Sequence, residues 1–301
     1  MKRKYIHMVL MLIFLSVISC TEENGEYFPQ LYVSYTPAVT ASTRAPAGEY
    51  PQDTPFGVWI YSLHEKKTWE SNKHEATLLA SNSIVRYTDG GWTNTPPIEW
   101  LGNQHLTVFA YSPYEIDADY SSNKGITIEN FDITEGIHPL FANSAVDCTS
   151  ERNGGCIAIP FIPTLAKVEF RVRSMAQADS ILCLRSLTMD DMYYKGRFQS
   201  YPRAKWTPTD DTLTLEFCNN SMMIESSSET VGSQMVLPQR VWQPVTLIVD
   251  IYDREGNLLV PGRKIVSRQM DSNWNVGKYY SYTLNVTTNA VTFTTDILEN
   301  L

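Results

Sequence analysis

Ala166-Lys167-Val168-Glu169-Phe170-Arg171-Val172-Arg173 alternates strictly between apolar and charged side chains. A period of two puts Val168, Phe170 and Val172 on one face of an extended chain and Lys167, Glu169, Arg171 and Arg173 on the other. This is the pattern of a strand with one face in a core and one in water. Leu213-Thr214-Leu215-Glu216-Phe217 repeats it, as do Tyr280, Tyr282, Leu284 and Val286. The fuller apolar run from Val245 to Tyr252 reads as a more central strand, and Phe56 to Tyr61, Leu106 to Tyr111 and Gly125 to Ile128 read likewise in the first half. Turn chemistry separates these runs: Asp89-Gly90-Gly91, Asn123-Lys124-Gly125, Asn153-Gly154-Gly155, and Asp253-Arg254-Glu255-Gly256-Asn257, which reads as a hairpin loop. No stretch of about 12 residues carries a helical period. The 16 prolines disfavour helices and βαβ units. The fold class is all-β, built as sandwiches.

The 301 residues are enough for two such domains. The break is expected near Ile159-Pro160-Phe161-Ile162-Pro163, giving domains 45–160 and 161–301. A hydrophobic share of 43% against 19% charged residues excludes a disordered chain. A formal charge of -9 leaves no electrostatic footprint for nucleic acid. Seven Trp, 17 Tyr and 11 Phe beside only five His and five Cys describe a chain rich in strand formers and poor in catalytic and metal-binding groups.

The chemistry-bearing side chains fit the same picture. His64, His74, His105 and His138 stand in none of the spacings of a metal site, and neither a nucleophile elbow nor a phosphate-cradling glycine loop occurs. Asp190-Asp191 and Asp210-Asp211 are paired carboxylates beside loop residues and read as solvated turns. No catalytic residue, metal or cofactor is expected. Trp59, Trp92, Trp100, Trp206, Trp242 and Trp274 read mainly as core; the competing reading is a surface lipoprotein that stacks glycans on exposed aromatics.

Lys2, Arg3 and Lys4 precede an apolar run from Ile6 to Val17, too short for a bilayer span of about 20 residues and right for a secretory signal. It ends Val17-Ile18-Ser19-Cys20, the pattern of a lipoprotein box, so residues 1–20 read as a signal ending at a lipidated, palmitate-bearing Cys20. Residues 21–44 then read as an acidic tether and a removable strand. In an oxidising compartment Cys148 and Cys156 could close a small loop, with buried free thiols the equal alternative, and Cys183 and Cys218 are likewise open.

Taken in order, these runs resemble the fimbrillin family, the Mfa-like subunits of type V pili on Gram-negative surfaces. The resemblance is carried by Pro55-Phe56-Gly57-Val58-Trp59-Ile60-Tyr61, by Trp92 and Pro97-Ile98-Glu99-Trp100, and by Leu106 to Pro113. Ile159 to Phe170, Leu237-Pro238-Gln239 and Trp274 to Tyr282 complete it, although Ile162-Pro163-Thr164 lacks the histidine of the family's pattern. The resemblance implies two transthyretin-like, Greek-key antiparallel β-sandwiches and export to the outer membrane as a lipoprotein. It also implies cleavage by an arginine-specific or trypsin-like protease, after which other fimbrillin subunits join by donor-strand exchange. The matching residues here are Arg44 and Ala45 for the cut, Leu31, Val33 and Tyr35 for the removable strand, and Val291, Phe293 and Ile297 for a donor strand, unless that tail is the domain's own last strand.

Overall fold

The computed structural model describes residues 31–39, 48–177 and 179–298. Cys20, Arg44 and Ala45 lie outside the described residues. The chain from Tyr32 onward forms one compact unit, and its architecture is all-β.

The first half supplies β1 (Ser34–Val39), β2 (Gly48–Glu49), β3 (Phe56–His64), β4 (Thr77–Thr88), β5 (Gly91–Asn94), β6 (Gln104–Ser112), β7 (Ala118–Ser121), β8 (Gly125–Asp132), β9 (Leu140–Thr149) and β10 (Cys156–Pro163). The second half supplies β11 (Ala166–Ser174), β12 (Ile181–Tyr193), β13 (Lys195–Gln199), β14 (Lys205–Pro208), β15 (Thr212–Cys218), β16 (Met222–Met223) and β17 (Glu229–Val236). It continues with β18 (Arg240–Val241), β19 (Thr246–Tyr252), β20 (Leu258–Val266), β21 (Ser272–Asn273), β22 (Tyr279–Val286) and β23 (Val291–Leu298). Helix is confined to short turns such as Trp69–Asn72 and Ser150–Asn153, and among the described residues no helix is long and apolar enough to cross a membrane.

The first sheet runs β10-β9-β6-β3-β4-β5-β1, and β1 pairs back onto β10, so the path closes on itself. β3 and β6 are buried on both faces, which is why both read as continuous apolar runs. Phe56 packs against Tyr35, Tyr50, Trp92 and Phe161. Trp59, Phe109 and Tyr111 turn the other way and share a core with Ile126, Ile128, Phe198 and Trp206. The sheet carrying those partners is β14-β13-β8-β7. It crosses the sequence: β13, from the second half, pairs with β8 from the first.

Eight of the remaining strands sandwich a second core between β17-β11-β22-β23 and β15-β12-β19-β20. Val168, Phe170 and Val172 all point into it, and Phe170 meets Phe217 edge-on at 4.6 Å. The Asp253–Asn257 turn joins β19 to β20 as a hairpin, with the Asn257 amide donating to Asp253 Oδ1 at 2.7 Å.

Two expectations change. The break placed at 160/161 falls inside β10, whose alternation of buried Ile157, Ile159 and Phe161 continues through Pro160. Pro160 is accommodated on that flank because β9 is in register with β10 only at Ile162 and Pro163, leaving no ladder there for its missing N–H to break. Asp190-Asp191 is not a turn but a β-bulge within β12, where pairing to β15 shifts between Met189 and Met192.

The two sheets of the second core meet tightly where β17 crosses β15. A Cβ on Gly232 would stand 1.8 Å from the Phe217 carbonyl oxygen, a backbone atom that cannot swing aside. Gly232→Ala should therefore destabilise the protein by about 1–3 kcal/mol in urea unfolding. Gly102→Ala, whose Cβ meets nothing, should stay within about 0.5 kcal/mol of wild type.

Candidate functional site: the seat of the N-terminal strand

β1 lies parallel to β10 in unbroken register from Ser34↔Cys156 to Val39↔Phe161. On its other flank it pairs antiparallel with β5 at Ser34↔Thr93 and Tyr35↔Trp92. Farther along, β2 takes up Ala38 and Val39. Between these contacts a cavity of about 230 Å³ lies against Thr36 and Pro37. Pro37 has no N–H to offer a neighbour there. At the start of the segment the Val33 amide donates to the Ile98 carbonyl and the Ser34 amide to the Gly155 carbonyl, both at 2.9 Å.

Side chains alternate in burial along this segment. Val33 and Tyr35 are buried, whereas Tyr32 and Thr36 face out; Leu31 immediately precedes this unit. The Tyr35 ring meets Phe56 edge-on at 5.8 Å. Its hydroxyl donates to Asn94 Oδ1 at 2.6 Å, and the Asn94 amide donates in turn to Ser83 Oγ at 3.0 Å. Burial raises the Tyr35 hydroxyl far above its ordinary pKa, outweighing the Asn94 contact, so it acts only as a neutral donor. Tyr50, whose hydroxyl meets Ser112 Oγ at 2.6 Å, is pushed up to about 12, again mainly by burial. The seat is thus an aromatic mould for an apolar-polar-aromatic triplet, Val33-Ser34-Tyr35, flanked by two strand edges.

The other residues singled out in the sequence are dispersed. Val291 and Phe293 lie on β23, which pairs antiparallel with β22 from Tyr279↔Leu298 to Val286↔Val291. In this structure the tail, including Ile297, is therefore its own domain's edge strand. Val291 is buried, and Phe293 lies under the Arg268 guanidinium at 5.0 Å. Cys148 and Cys156 carry free thiols, as do Cys183 and Cys218. The loop closure considered for the first pair is not made, and Cys156 Sγ instead meets Thr36 Oγ1 at 2.8 Å. Among the described residues no three His, Cys, Asp or Glu side chains converge as a metal site. Of the six tryptophans weighed as a glycan platform, Trp59, Trp92, Trp100, Trp206 and Trp274 are buried. Trp242 alone is exposed, with Arg240 stacked 4.2 Å above its ring.

Removing the Tyr35 hydroxyl would leave buried Asn94 Oδ1 without its donor. Tyr35→Phe should cost about 1–3 kcal/mol, read from urea unfolding of the uncleaved chain.

No curated protein matches the chain. Among solved structures, a fimbrial protein from Bacteroides vulgatus superposes with a TM-score of 0.66 at 16% identity, covering 89% of this chain and 99% of that one. Two putative cell adhesion proteins give TM-scores of 0.55 (Bacteroides ovatus, 15% identity, 90% and 97% covered) and 0.54 (Bacteroides uniformis, 14% identity, 90% and 98% covered). These likenesses show the fold. The model of the fimbrillin-like family matches residues 43–298, and with that span covered the chain belongs to the fimbrillin-like family.

Proposed function

We propose that this protein is a structural subunit of a cell-surface fimbria, made as a lipoprotein on Cys20 and matured by cleavage between Arg44 and Ala45. Polymerisation follows by replacement of β1 with a strand from another subunit, and the polymer supports adhesion. The observation that carries this reading is that β1 is registered with Cys156–Phe161 along its whole length while joined to the rest of the fold through residues 40–47, which contain Arg44. A cut there releases β1 from its covalent tie but leaves the seat intact.

The donor in this scheme is β23. It is an edge strand, and Val291-Thr292-Phe293 repeats the apolar-polar-aromatic spacing of Val33-Ser34-Tyr35. We read the closed first sheet and the second sandwich as the two transthyretin-like, Greek-key domains expected of such a subunit. The partners are other fimbrillin subunits, an arginine-specific or trypsin-like protease and the outer membrane.

N-terminal sequencing of the surface polymer is expected to begin at Ala45, and Arg44→Ala should abolish the denaturant-resistant high-mass ladder. Polymer that begins at Cys20, or a ladder undiminished in Arg44→Ala, would overturn the assignment. Labelled palmitate should enter the wild type and not Cys20→Ser.

A further inference from the structure

A second cleft, of about 370 Å³, opens where the β3–β4 connection meets β6, β7 and β9. One wall is aromatic. Trp69 lies 5.4 Å from Phe109, and Phe109 stacks on Tyr120 at 4.3 Å with 23° between the rings. Trp69 is held in place from a distance: its backbone amide donates to both carboxylate oxygens of Asp147, at 2.8 and 3.2 Å. Asp147 adopts a left-handed backbone conformation with φ of 51°. A non-glycine residue in that region is uncommon and is maintained only where surrounding contacts over-determine it.

Several polar side-chain groups around this wall have no partner. The Trp69 indole N–H, the Tyr120 hydroxyl and the Glu70 carboxylate have no hydrogen-bond or ion-pair partner among the described residues, and the Lys73 ammonium contacts only the Tyr201 ring, at 5.7 Å. Asn143 donates weakly to the Ser200 carbonyl at 3.5 Å, and its Oδ1 is buried with no partner at all. Neighbouring side chains of the same connection behave differently: Glu75 is tied to both Lys67 and Asn72.

We propose that this cleft binds a saccharide of one or two rings. An aromatic wall offers a flat face to the apolar C–H side of a pyranose ring. The surrounding donors and acceptors, of both charge signs, match the hydroxyls on its rim. The volume falls at the small end of ligand pockets, which span about 300–1,000 Å³. A lipid chain would leave these polar groups unpaired, and a nucleic acid would need more than one cation.

The purified full chain should be titrated with glucose, galactose, N-acetylglucosamine, N-acetylneuraminic acid and lactose, with binding read by saturation-transfer NMR and tryptophan fluorescence. At least one sugar is expected to bind saturably. Trp69→Ala and Lys73→Ala should each weaken that binding by about tenfold or more, while Trp242→Ala, on an exposed ring outside the cleft, should leave it unchanged. If Trp69→Ala does not fold, Lys73→Ala and Glu70→Gln, both at exposed positions, decide the matter. Absence of binding by every sugar, or binding that the cleft variants leave intact, overturns the proposal.

Discussion

The first sheet depends on the parallel ladder between β1 and β10. Residues Cys156–Phe161 have no other registered strand neighbour among the described residues, since β9 meets β10 only at its last two positions. Take β1 away and six residues of backbone lose their ladder, while the buried side chains of Ile157, Ile159 and Phe161 lose one wall of their enclosure. An unpaired buried amide or carbonyl costs free energy comparable to a lost hydrogen bond. The open sheet is therefore unstable with respect to any strand that restores those bonds. What recommends a replacement is backbone pairing together with two side chains that fit the places of Val33 and Tyr35.

The rest of the molecule supports the floor of this seat from the side away from β1. β3 and β6 carry Phe56 toward the seat and Trp59, Phe109 and Tyr111 toward the opposite face, where the β7–β8–β13–β14 sheet covers them. Because β13 pairs with β8, residues from the second half of the sequence brace the first. Trp206 extends this bracing by donating its indole N–H to the Thr164 carbonyl at 2.8 Å, just past the end of β10. The floor of the seat thus rests on packing that does not involve β1. The aromatic richness of the chain has its use here: large rigid rings fill a layer shared by two sheets at small entropic cost.

Alternation made most of the strands legible in the sequence. Val168, Phe170 and Val172, and Tyr280, Tyr282, Leu284 and Val286 all face the core that their alternation predicts. A period of two reports which face of a strand is buried and says nothing about which strand lies beside it. Closure of the first sheet by a parallel pairing, and the return of β13 to β8, therefore could not be read from pattern. The same limit hid the identity of the Asp190-Asp191 step, because a bulge is defined by its partner strand. Trp69 is illegible in the pattern for another reason. It stands in the polar stretch Lys66-Lys67-Thr68-Trp69-Glu70, and the residue that orients it, Asp147, is 78 positions away.

The connection between β1 and β2 explains why a cut is needed in the proposed scheme. Eight residues, 40–47, tie β1 to the strand beside it. A short tether holds its segment at an effective concentration in the millimolar range, so a free strand at micromolar concentration competes at a disadvantage of about a thousandfold, or roughly 4 kcal/mol, even when its intrinsic fit is equal. Severing the tether removes that advantage without altering a single contact in the seat. β1 is then held by its ladder, by the side-chain hydrogen bonds of Tyr35 and Thr36 and by the burial of Val33 and Tyr35, and its weakest flank is the gap at Pro37, where neither β5 nor β2 reaches it. In the proposed scheme, exchange in this order needs no separate energy source: the tether's entropy alone holds the uncleaved subunit back from polymerising, and proteolysis opens its closing strand to competition.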